Sequence, residues 1–159
     1  SYSALYGMEQ VGLRFFTVYG PWGRPDMAYW TFTRDIIEDA PIRVFNNGQL
    51  QRDFTWIDDI VAGVISTALD APRNPNPPLH RIYNIGNNRP VELGRFIEIV
   101  EDAVGKRARK IMEPMQPGDV RATYADIDAL ARDHGFAPTT TLEEGIPRFV
   151  KWYRDYTKT

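Results

Sequence analysis

The sequence predicts an α/β fold, because segments with the pattern of strands alternate along the chain with segments that have the pattern of helices. The stretch Val11–Val18 is apolar and rich in β-branched and aromatic residues, which predicts a buried strand. In Met27–Ala40, apolar side chains recur at helical spacing, and Pro41 ends that helix. Strands and helices keep alternating further along the chain, so separate α and β regions are not expected.

The remaining elements are predicted from periodicity, turn residues and helix caps. Further strands are expected at Ile42–Phe45, Phe54–Ile57, Arg81–Ile85 and Ala108–Glu113. Further helices are expected from Asp58 or Asp59, as the N-cap, to Leu69, at Leu93–Val104 before Gly105, at Asp126–Gly135, and at Leu142–Tyr156, whose first turn tolerates Pro147. Asn46–Gly48 indicates a turn, and Pro72–Pro78 indicates a surface loop.

The composition is that of an ordinary globular protein. The 159 residues, 43% of them hydrophobic and 25% charged, suit one domain with a sizeable core. A formal net charge of −2 gives no electrostatic reason to expect nucleic acid or an anionic membrane as a partner. The chain has no cysteine, which excludes disulfides and thiolate metal sites and fits a reducing compartment, so we expect a cytoplasmic protein.

The segment Gly20–Asp26 is the most informative part of the sequence. It follows the first predicted strand and contains two prolines, two glycines, one arginine and one aspartate. The prolines fix their own φ angles, and the glycines allow turns that other residues resist. Ligands of open α/β sheets bind just beyond the carboxyl ends of strands, so we expect this loop to border a binding site.

One residue in this loop, Arg24, is a candidate ligand by its chemistry, and Thr17 lies just before the loop. Arg24, held on the stiffened loop, is suited to a two-pronged contact with a carboxylate or phosphate; the alternative is a surface pair with Asp26. Thr17 lies on the same strand face as Phe15, because side chains alternate along a strand. On residue type alone, β-propensity explains Thr17 better than a binding role does.

Five segments together resemble nucleotide-sugar epimerases of the extended short-chain dehydrogenase/reductase superfamily, and most closely the UDP-glucuronate 4-epimerases. They occur in the order and at the approximate spacing of that family. The segments are Arg14–Asp26, Pro41–Asn46 (PIRVFN), Arg52–Asp59 (RDFTWIDD), Tyr83–Asn87 (YNIGN) and Pro117–Asp119 (PGD). The resemblance implies the C-terminal part of that fold, in which residues up to about 22 and from about 54 to 86 complete the edge of the Rossmann sheet. The other residues then form a small substrate-binding lobe.

Two motifs of the family have no match here. No tyrosine is followed four residues later by a lysine, and the pattern Gly20-x-x-Gly23-x-x-Asp26 lacks the third glycine of a dinucleotide turn. We therefore expect residues 1–159 to be the C-terminal, substrate-binding part of an epimerase. The NAD-binding part and the catalytic Tyr-x-x-x-Lys pair are expected upstream, so no catalytic residue is assigned in this chain and the chain alone is expected to be inactive.

The resemblance also implies roles at the sugar and cofactor end of the site. Thr17 matches a position that faces the sugar near the nicotinamide of NAD, and Phe15 and Thr17 form the cofactor side. Arg24 matches an arginine near the sugar carboxylate. His80 and His134 receive no role, and no metal site is expected.

For the nucleotide end, the resemblance implies that Arg52 binds the diphosphate and that Asp119 accepts hydrogen bonds from ribose hydroxyls. Gln116 stands where some relatives have an arginine as a second phosphate ligand. Arg43, Val44 and Phe45 match the strand that borders the uracil. The alternative for Arg52 is an ion pair with Asp53 or Asp58, and the alternative for Phe45 is a place in the core.

The leading interpretation is therefore the UDP-glucuronate-binding portion of an NAD-dependent 4-epimerase that interconverts UDP-glucuronate and UDP-galacturonate. The complete enzyme is expected to be a homodimer. Thr17 and the Trp22–Met27 pattern favour this interpretation over a UDP-glucuronate decarboxylase or a sugar 4,6-dehydratase. An interpretation of another class is a non-catalytic module that binds a nucleotide sugar or a partner protein.

Overall fold

The computed structural model describes residues 1–69 and 79–159, so the expected loop Pro72–Pro78 lies outside the described residues. The helices are α1 (Tyr2–Tyr6), α2 (Ala28–Ile37), α3 (Ile57–Leu69), α4 (Leu93–Val104), α5 (Asp128–His134) and α6 (Leu142–Thr157). The strands are β1 (Gln10–Phe15), β2 (Thr17–Tyr19), β3 (Pro41–Phe45), β4 (Gln51–Trp56), β5 (His80–Ile85), β6 (Pro90–Glu92), β7 (Arg109–Glu113) and β8 (Ala122–Thr123). This order confirms the predicted α/β class. Across the two described ranges, no helix has the length and apolarity needed to cross a membrane.

The predicted strand Val11–Val18 is two strands. β1 pairs in parallel with β5, β2 pairs in parallel with β4, and the N–H of Phe16 between them donates to the carbonyl of Ile85 at 3.0 Å. The prediction that this stretch is one buried strand is wrong, since β1 is only partly covered and the Phe15 side chain is exposed. The apolar pattern correctly indicated extended backbone, but a pattern does not identify the partner of each residue.

β4 pairs with three other strands. Besides β2, it pairs with β6 in antiparallel and with β8 in parallel orientation, both through its first residues Gln51 and Arg52. These pairings extend β4 three residues before the predicted start at Phe54, and neither β6 nor β8 was predicted. Both are very short, and their backbone is extended because β4 supplies hydrogen-bonding partners. β3 and β7 form a separate parallel pair.

Helix ends follow the sequence signals where those signals are local. Gly105 and Gly135 end α4 and α5 with left-handed backbone, φ 81° and 71°. Thr141 and Glu144 form a capping box that begins α6. α6 begins at Leu142 as predicted, and Pro147 is its sixth residue, so the prediction that this proline lies in the first turn is wrong.

The prediction that Asp58 or Asp59 is the N-cap of α3 is wrong, because the helix already begins at Ile57. Both aspartates lie in its first turn, where their charges still oppose the positive end of the helix dipole. The Asp59 carboxylate accepts hydrogen bonds from the backbone N–H groups of Thr139 and Thr140, at 3.2 and 2.9 Å. These hydrogen bonds link α3 to the segment that precedes α6.

The core has two clusters of buried apolar side chains. The larger one fills the space between α2, α4, α6 and the strands β2, β3 and β4, and Phe54 stacks on Phe96 in it with ring centroids 4.4 Å apart. The smaller one lies between α3, β5 and α5 and includes Tyr83 and Leu130. From β4, Phe54 and Trp56 enter the larger cluster, whereas Asp53 and Thr55 face the other side of the strand, because side chains alternate.

Asp53 is a fully buried carboxylate in the middle of β4. Its Oδ1 accepts from the N–H of Asn87 at 3.0 Å, and its Oδ2 accepts from the N–H groups of Asn88 at 3.0 Å and Ala125 at 2.9 Å. A buried charge is costly unless hydrogen bonds satisfy it, and here three donors do so. Asp53 thereby joins β4 to the turn after β5 and to the segment before α5.

We expect Asp53→Ala to lower the free energy of unfolding by roughly 3 kcal/mol, because three buried N–H groups would lose their acceptor. Urea denaturation followed by circular dichroism measures this change. Asp102→Ala removes an exposed carboxylate and should change the same quantity by less than about 0.5 kcal/mol. Equal effects of the two substitutions would contradict the structural role of Asp53.

The contact between α6 and β2 is equally specific. A Cβ added to Gly145 would lie 2.1 Å from the hydroxyl oxygen of Tyr19, and that hydroxyl donates to the carbonyl of Thr141 at 3.2 Å. Burial, with a smaller contribution from the charge of Asp59, raises the pKa of the Tyr19 hydroxyl. The tyrosine therefore stays neutral and acts as a hydrogen-bond donor to α6.

Gly145→Ala should destabilise the protein by about 1–3 kcal/mol, because steric overlap with Tyr19 outweighs a gain in helix propensity of up to about 1 kcal/mol. The midpoint of urea unfolding reports the change. Gly94→Ala in α4 is the matched control, since its Cβ would approach only the carbonyl of Gly48 at 3.6 Å. That control should be neutral or stabilising, and an equally stable Gly145→Ala variant would show that the overlap is easily relieved.

Candidate functional site

Two open clefts lie side by side where β1 ends and β2 begins. We call them the Arg52 cleft, of about 350 Å³, and the Arg24 cleft, of about 570 Å³. Thr17 and Met27 line both clefts and therefore mark the boundary between them. Of the predicted site residues, Arg43, Phe45 and Arg52 line the first cleft, Phe15 and Arg24 line the second, and Thr17 lines both.

Arg52, which lines the first cleft, contacts Asp119, a predicted ligand from a distant part of the sequence that lines neither cleft itself. One terminal nitrogen of Arg52, Nη2, donates to Oδ1 of Asp119 at 2.6 Å, and the other donates to the carbonyls of Gln51 and Val120 at 2.8 and 2.9 Å. The alternative interpretation paired Arg52 with Asp53 or Asp58, and both partners are wrong. Asp53 is fully buried and accepts hydrogen bonds from three backbone N–H groups, while Asp58 accepts from Nε1 of Trp56 at 2.9 Å. Arg52 and Asp119 are both half-buried, so the guanidinium is held in one orientation at the edge of the cleft.

The strand expected to border a base contributes to the same cleft. The guanidinium of Arg43 lies 5.2 Å from the ring centroid of Phe45 and forms a two-pronged contact with Glu113 at 2.5 and 2.7 Å. This hydrogen bonding lowers the pKa of the Glu113 carboxyl. Phe45 lines the cleft and does not belong to the buried core, whereas the Val44 side chain does. Any role of Val44 is therefore confined to its main-chain groups.

Gln116 is not brought to either cleft. Its side chain is exposed, and its carbonyl accepts from the N–H of Asp119 at 3.2 Å, which closes the turn containing Gly118. Gly118 has left-handed backbone with φ 85°. The main chain of Gln116 thus shapes the loop that presents Asp119 to Arg52, and a phosphate-binding role of its side chain stays a prediction.

The Arg24 cleft is bordered by the loop that the sequence singled out. A Cβ on Gly23 would lie 1.6 Å from the hydroxyl oxygen of Tyr29, so the loop crosses directly over that tyrosine. Trp22 has left-handed backbone with φ 61°, and its ring packs edge-on against Trp152 and Tyr156 of α6 with centroids 5.3 and 5.4 Å apart. The path of the loop is therefore determined by contacts on both of its sides.

Arg24 lines this cleft and also pairs with Asp26, the partner that the alternative interpretation named. Its Nε donates to Oδ1 of Asp26 at 3.1 Å and its Nη2 donates to Oδ2 at 2.5 Å. Both side chains are exposed, with 76% of Arg24 accessible. The pair and the cleft position are compatible, because a guanidinium has five N–H donors and this contact uses two of them.

Sequence reasoning missed Met27 at the boundary of the two clefts and Trp22 as the anchor of the loop. The available signal for Trp22 was the aromatic pair Trp152 and Tyr156, four residues apart and hence on one face of α6. For Met27 we find no local signal, because its position between the clefts depends on how α2 approaches β2. Neither His80 nor His134 lines either cleft.

Residues 1–86 match the model of the NAD dependent epimerase/dehydratase family. Protein CapI of Staphylococcus aureus is 48% identical over 171 residues, a match that covers 99% of this chain and 51% of CapI. UDP-glucuronate 4-epimerase 6 of Arabidopsis thaliana is 44% identical over 168 residues, covering 98% of this chain and 36% of that protein. The chain thus spans about half, or less, of the length of these curated relatives.

Solved structures show the same fold. The UDP-glucuronic acid 4-epimerase of Bacillus cereus, in complex with UDP-glucuronic acid and NAD, superposes with a TM-score of 0.86 at 30% identity, over 98% of this chain and 48% of that one. The UDP-glucose 4-epimerase of Thermotoga maritima shares the fold at 24% identity, with a TM-score of 0.86 over 98% of this chain and 49% of its own. These matches confirm the predicted extended short-chain dehydrogenase/reductase fold. The chain therefore belongs to the NAD-dependent epimerase/dehydratase family.

Proposed function

We propose that this chain is the C-terminal, substrate-binding part of an NAD-dependent UDP-glucuronate 4-epimerase, an isomerase that interconverts UDP-glucuronate and UDP-galacturonate. The observation that carries the proposal is the placement of Arg52 and Arg24 in adjoining clefts that share Thr17. UDP-glucuronate has two anionic groups, the diphosphate and the sugar carboxylate, on either side of the hexose ring. Two separate arginines suit those two groups. Relatives named UDP-glucuronate 4-epimerases, similar over 98% of this chain, support the choice of sugar.

The two clefts divide the substrate between them. The Arg52 cleft takes the uridine diphosphate, with Arg52 on the diphosphate, Asp119 next to the ribose, and Arg43 and Phe45 beside the uracil. The Arg24 cleft takes the hexuronate, with Arg24 on its carboxylate. Thr17 lies at the junction, where the sugar joins the diphosphate, and its hydroxyl supplies a hydrogen bond to the sugar.

NAD, when bound to the complete enzyme, supplies hydride transfer at C4 of the sugar. The described residues fit a limited part in holding it, because Phe15 offers an exposed aromatic face at the Arg24 cleft and no glycine-rich phosphate turn is present in the sequence. When NAD is bound, Phe15 and Thr17 would be the residues of this chain on the nicotinamide side of the cleft. The proton-transferring Tyr-x-x-x-Lys pair belongs to the upstream part of the enzyme.

The residues of this chain hold one end of the substrate firmly and leave the sugar free to turn. Arg52 keeps its guanidinium fixed through Asp119 and two carbonyls, so the diphosphate stays anchored while the oxidised sugar presents its other face. An oxidised uronate is a β-keto acid, which loses carbon dioxide readily. Arg24 restrains the carboxylate by pairing with it, and this separates an epimerase from a decarboxylase that acts on the same substrate.

A decarboxylase or 4,6-dehydratase remains the runner-up, and the products distinguish them. The cytoplasmic location and the homodimeric state of the complete enzyme stay predictions, as does the assignment of residues 1–159 to its C-terminal part. A non-catalytic binding module is the remaining alternative. It would bind UDP-glucuronate without converting it, even within the full-length protein.

The direct test is incubation of the full-length protein with UDP-glucuronate and NAD, followed by chromatographic separation of the products. We expect UDP-galacturonate, approached from either epimer to the same equilibrium ratio. The chain of residues 1–159 alone should give no product above the blank, because it contains no Tyr-x-x-x-Lys pair. Release of carbon dioxide with formation of a UDP-pentose would identify a decarboxylase, and binding without product would favour the non-catalytic module.

The division of the substrate predicts different effects for the two arginines of the full-length enzyme. Arg24→Ala should weaken UDP-glucuronate binding roughly tenfold to a hundredfold and leave UDP binding within about twofold, because UDP has no carboxylate. Arg52→Ala should weaken both ligands together, because both contain the diphosphate. Isothermal titration calorimetry with the two ligands measures all four affinities.

Arg95→Ala is the matched control, because Arg95 is an exposed, ion-paired arginine that lines neither cleft. It should leave both affinities unchanged. If Arg24→Ala reduced the affinity for UDP and UDP-glucuronate equally, the carboxylate role of Arg24 would be wrong. If Arg52→Ala affected neither ligand, the diphosphate would have to bind elsewhere.

A further inference from the structure

We propose that Asp26 is a positioning residue that fixes the guanidinium plane of Arg24 and thereby makes the site select a uronate over a neutral hexose. The inference deepens the proposed function and rests on it. Asp26 belongs to the same loop as Arg24. Pro25 lies between them and restricts the backbone conformations that this segment can adopt. Asp26 is thus part of the Arg24 arrangement and not a separate ligand of the substrate.

The contact with Asp26 leaves one edge of the Arg24 guanidinium available to a substrate carboxylate. Asp26 binds the side of the guanidinium formed by Nε and Nη2, with Oδ1 and Oδ2 at 3.1 and 2.5 Å. The other edge, formed by the two terminal nitrogens, keeps two parallel N–H groups that match a second carboxylate. Asp26 can therefore hold Arg24 while Arg24 binds the sugar carboxylate on its free edge.

The contacts around Arg24 explain why a second residue is needed to orient its side chain. The backbone of the loop is fixed, because Trp22 packs on α6 and Gly23 crosses over the Tyr29 hydroxyl. The Arg24 side chain, in contrast, is exposed and has no other hydrogen-bonding partner among the described residues. A long side chain on a fixed backbone still samples many rotamers, and a two-pronged contact with the neighbouring carboxylate favours those in which both hydrogen bonds form.

The same exposure shows that the pair is not chiefly a stability device. Ion pairs between exposed side chains contribute little to folding, so loss of the Asp26 charge should leave the fold intact. Asp26 also lines the Arg52 cleft, next to Met27, which lines both clefts. Hydrogen bonding by Arg24 lowers the pKa of the Asp26 carboxyl, so the carboxylate stays ionised beside the guanidinium.

The test is a double-mutant cycle in the full-length enzyme with Asp26→Asn, Arg24→Ala and the double variant. Asp26→Asn should raise the KM for UDP-glucuronate about fivefold to tenfold, the range in which contacting residues couple. It should leave the kcat and the Kd values for UDP and UDP-glucose within about twofold. In the Arg24→Ala background, Asp26→Asn should add less than twofold. Asp26→Glu, which keeps the carboxylate, should recover part of the loss.

Asp39→Asn is the matched control, because Asp39 is an exposed aspartate paired with Lys106 and asparagine tolerates its positive φ of 55°. It should change none of these constants. The inference is overturned if Asp26→Asn leaves the KM unchanged, weakens UDP as much as UDP-glucuronate, or has its full effect without Arg24. The proposed function itself fails, and the inference with it, if the parent enzyme binds UDP-glucuronate no better than UDP-glucose or if Arg24→Ala has no effect.

Discussion

The buried carboxylate of Asp53 is the interaction on which the arrangement of the site depends. Three backbone N–H groups from the turn after β5 and from the segment before α5 converge on it. Neighbouring residues of a strand face opposite sides, so fixing Asp53 inside the protein fixes Arg52 outside, at the cleft. A shift of β4 by one residue would exchange the two positions, burying the guanidinium and exposing the carboxylate. Asp53 therefore sets the register that places Arg52.

α6 has a corresponding role for the second cleft. At its beginning, the carbonyl of Thr141 accepts a hydrogen bond from the Tyr19 hydroxyl, and Gly145 leaves room for the Tyr19 ring. Its end offers the aromatic pair Trp152 and Tyr156, against which Trp22 packs. One helix thus holds the strand before the Arg24 loop and the loop itself. This explains how the last residues of the chain influence a site formed by residues near position 20.

The three candidate arginines of the site share one feature, since each is aligned by its own carboxylate. The pairs are Arg24 with Asp26, Arg43 with Glu113 and Arg52 with Asp119. A guanidinium that is already oriented needs less ordering when an anion binds, which favours affinity. The carboxylates also reduce the net positive charge at the clefts. Under the proposed function, binding would then depend on the matching geometry of diphosphate and uronate more than on general attraction of anions.

Local signals in the sequence were sufficient for the α/β class, for the ends of α4 and α5 at Gly105 and Gly135, and for placing the loop with Arg24 beside a cleft. Those features depend on the backbone preferences of a few neighbouring residues. Only the tertiary structure decided that Val11–Val18 divides into two strands, that β4 begins at Gln51, and that Arg52 pairs with Asp119. Each of these requires a partner far along the chain, and a residue's own preferences carry no information about which distant group will supply its hydrogen bond.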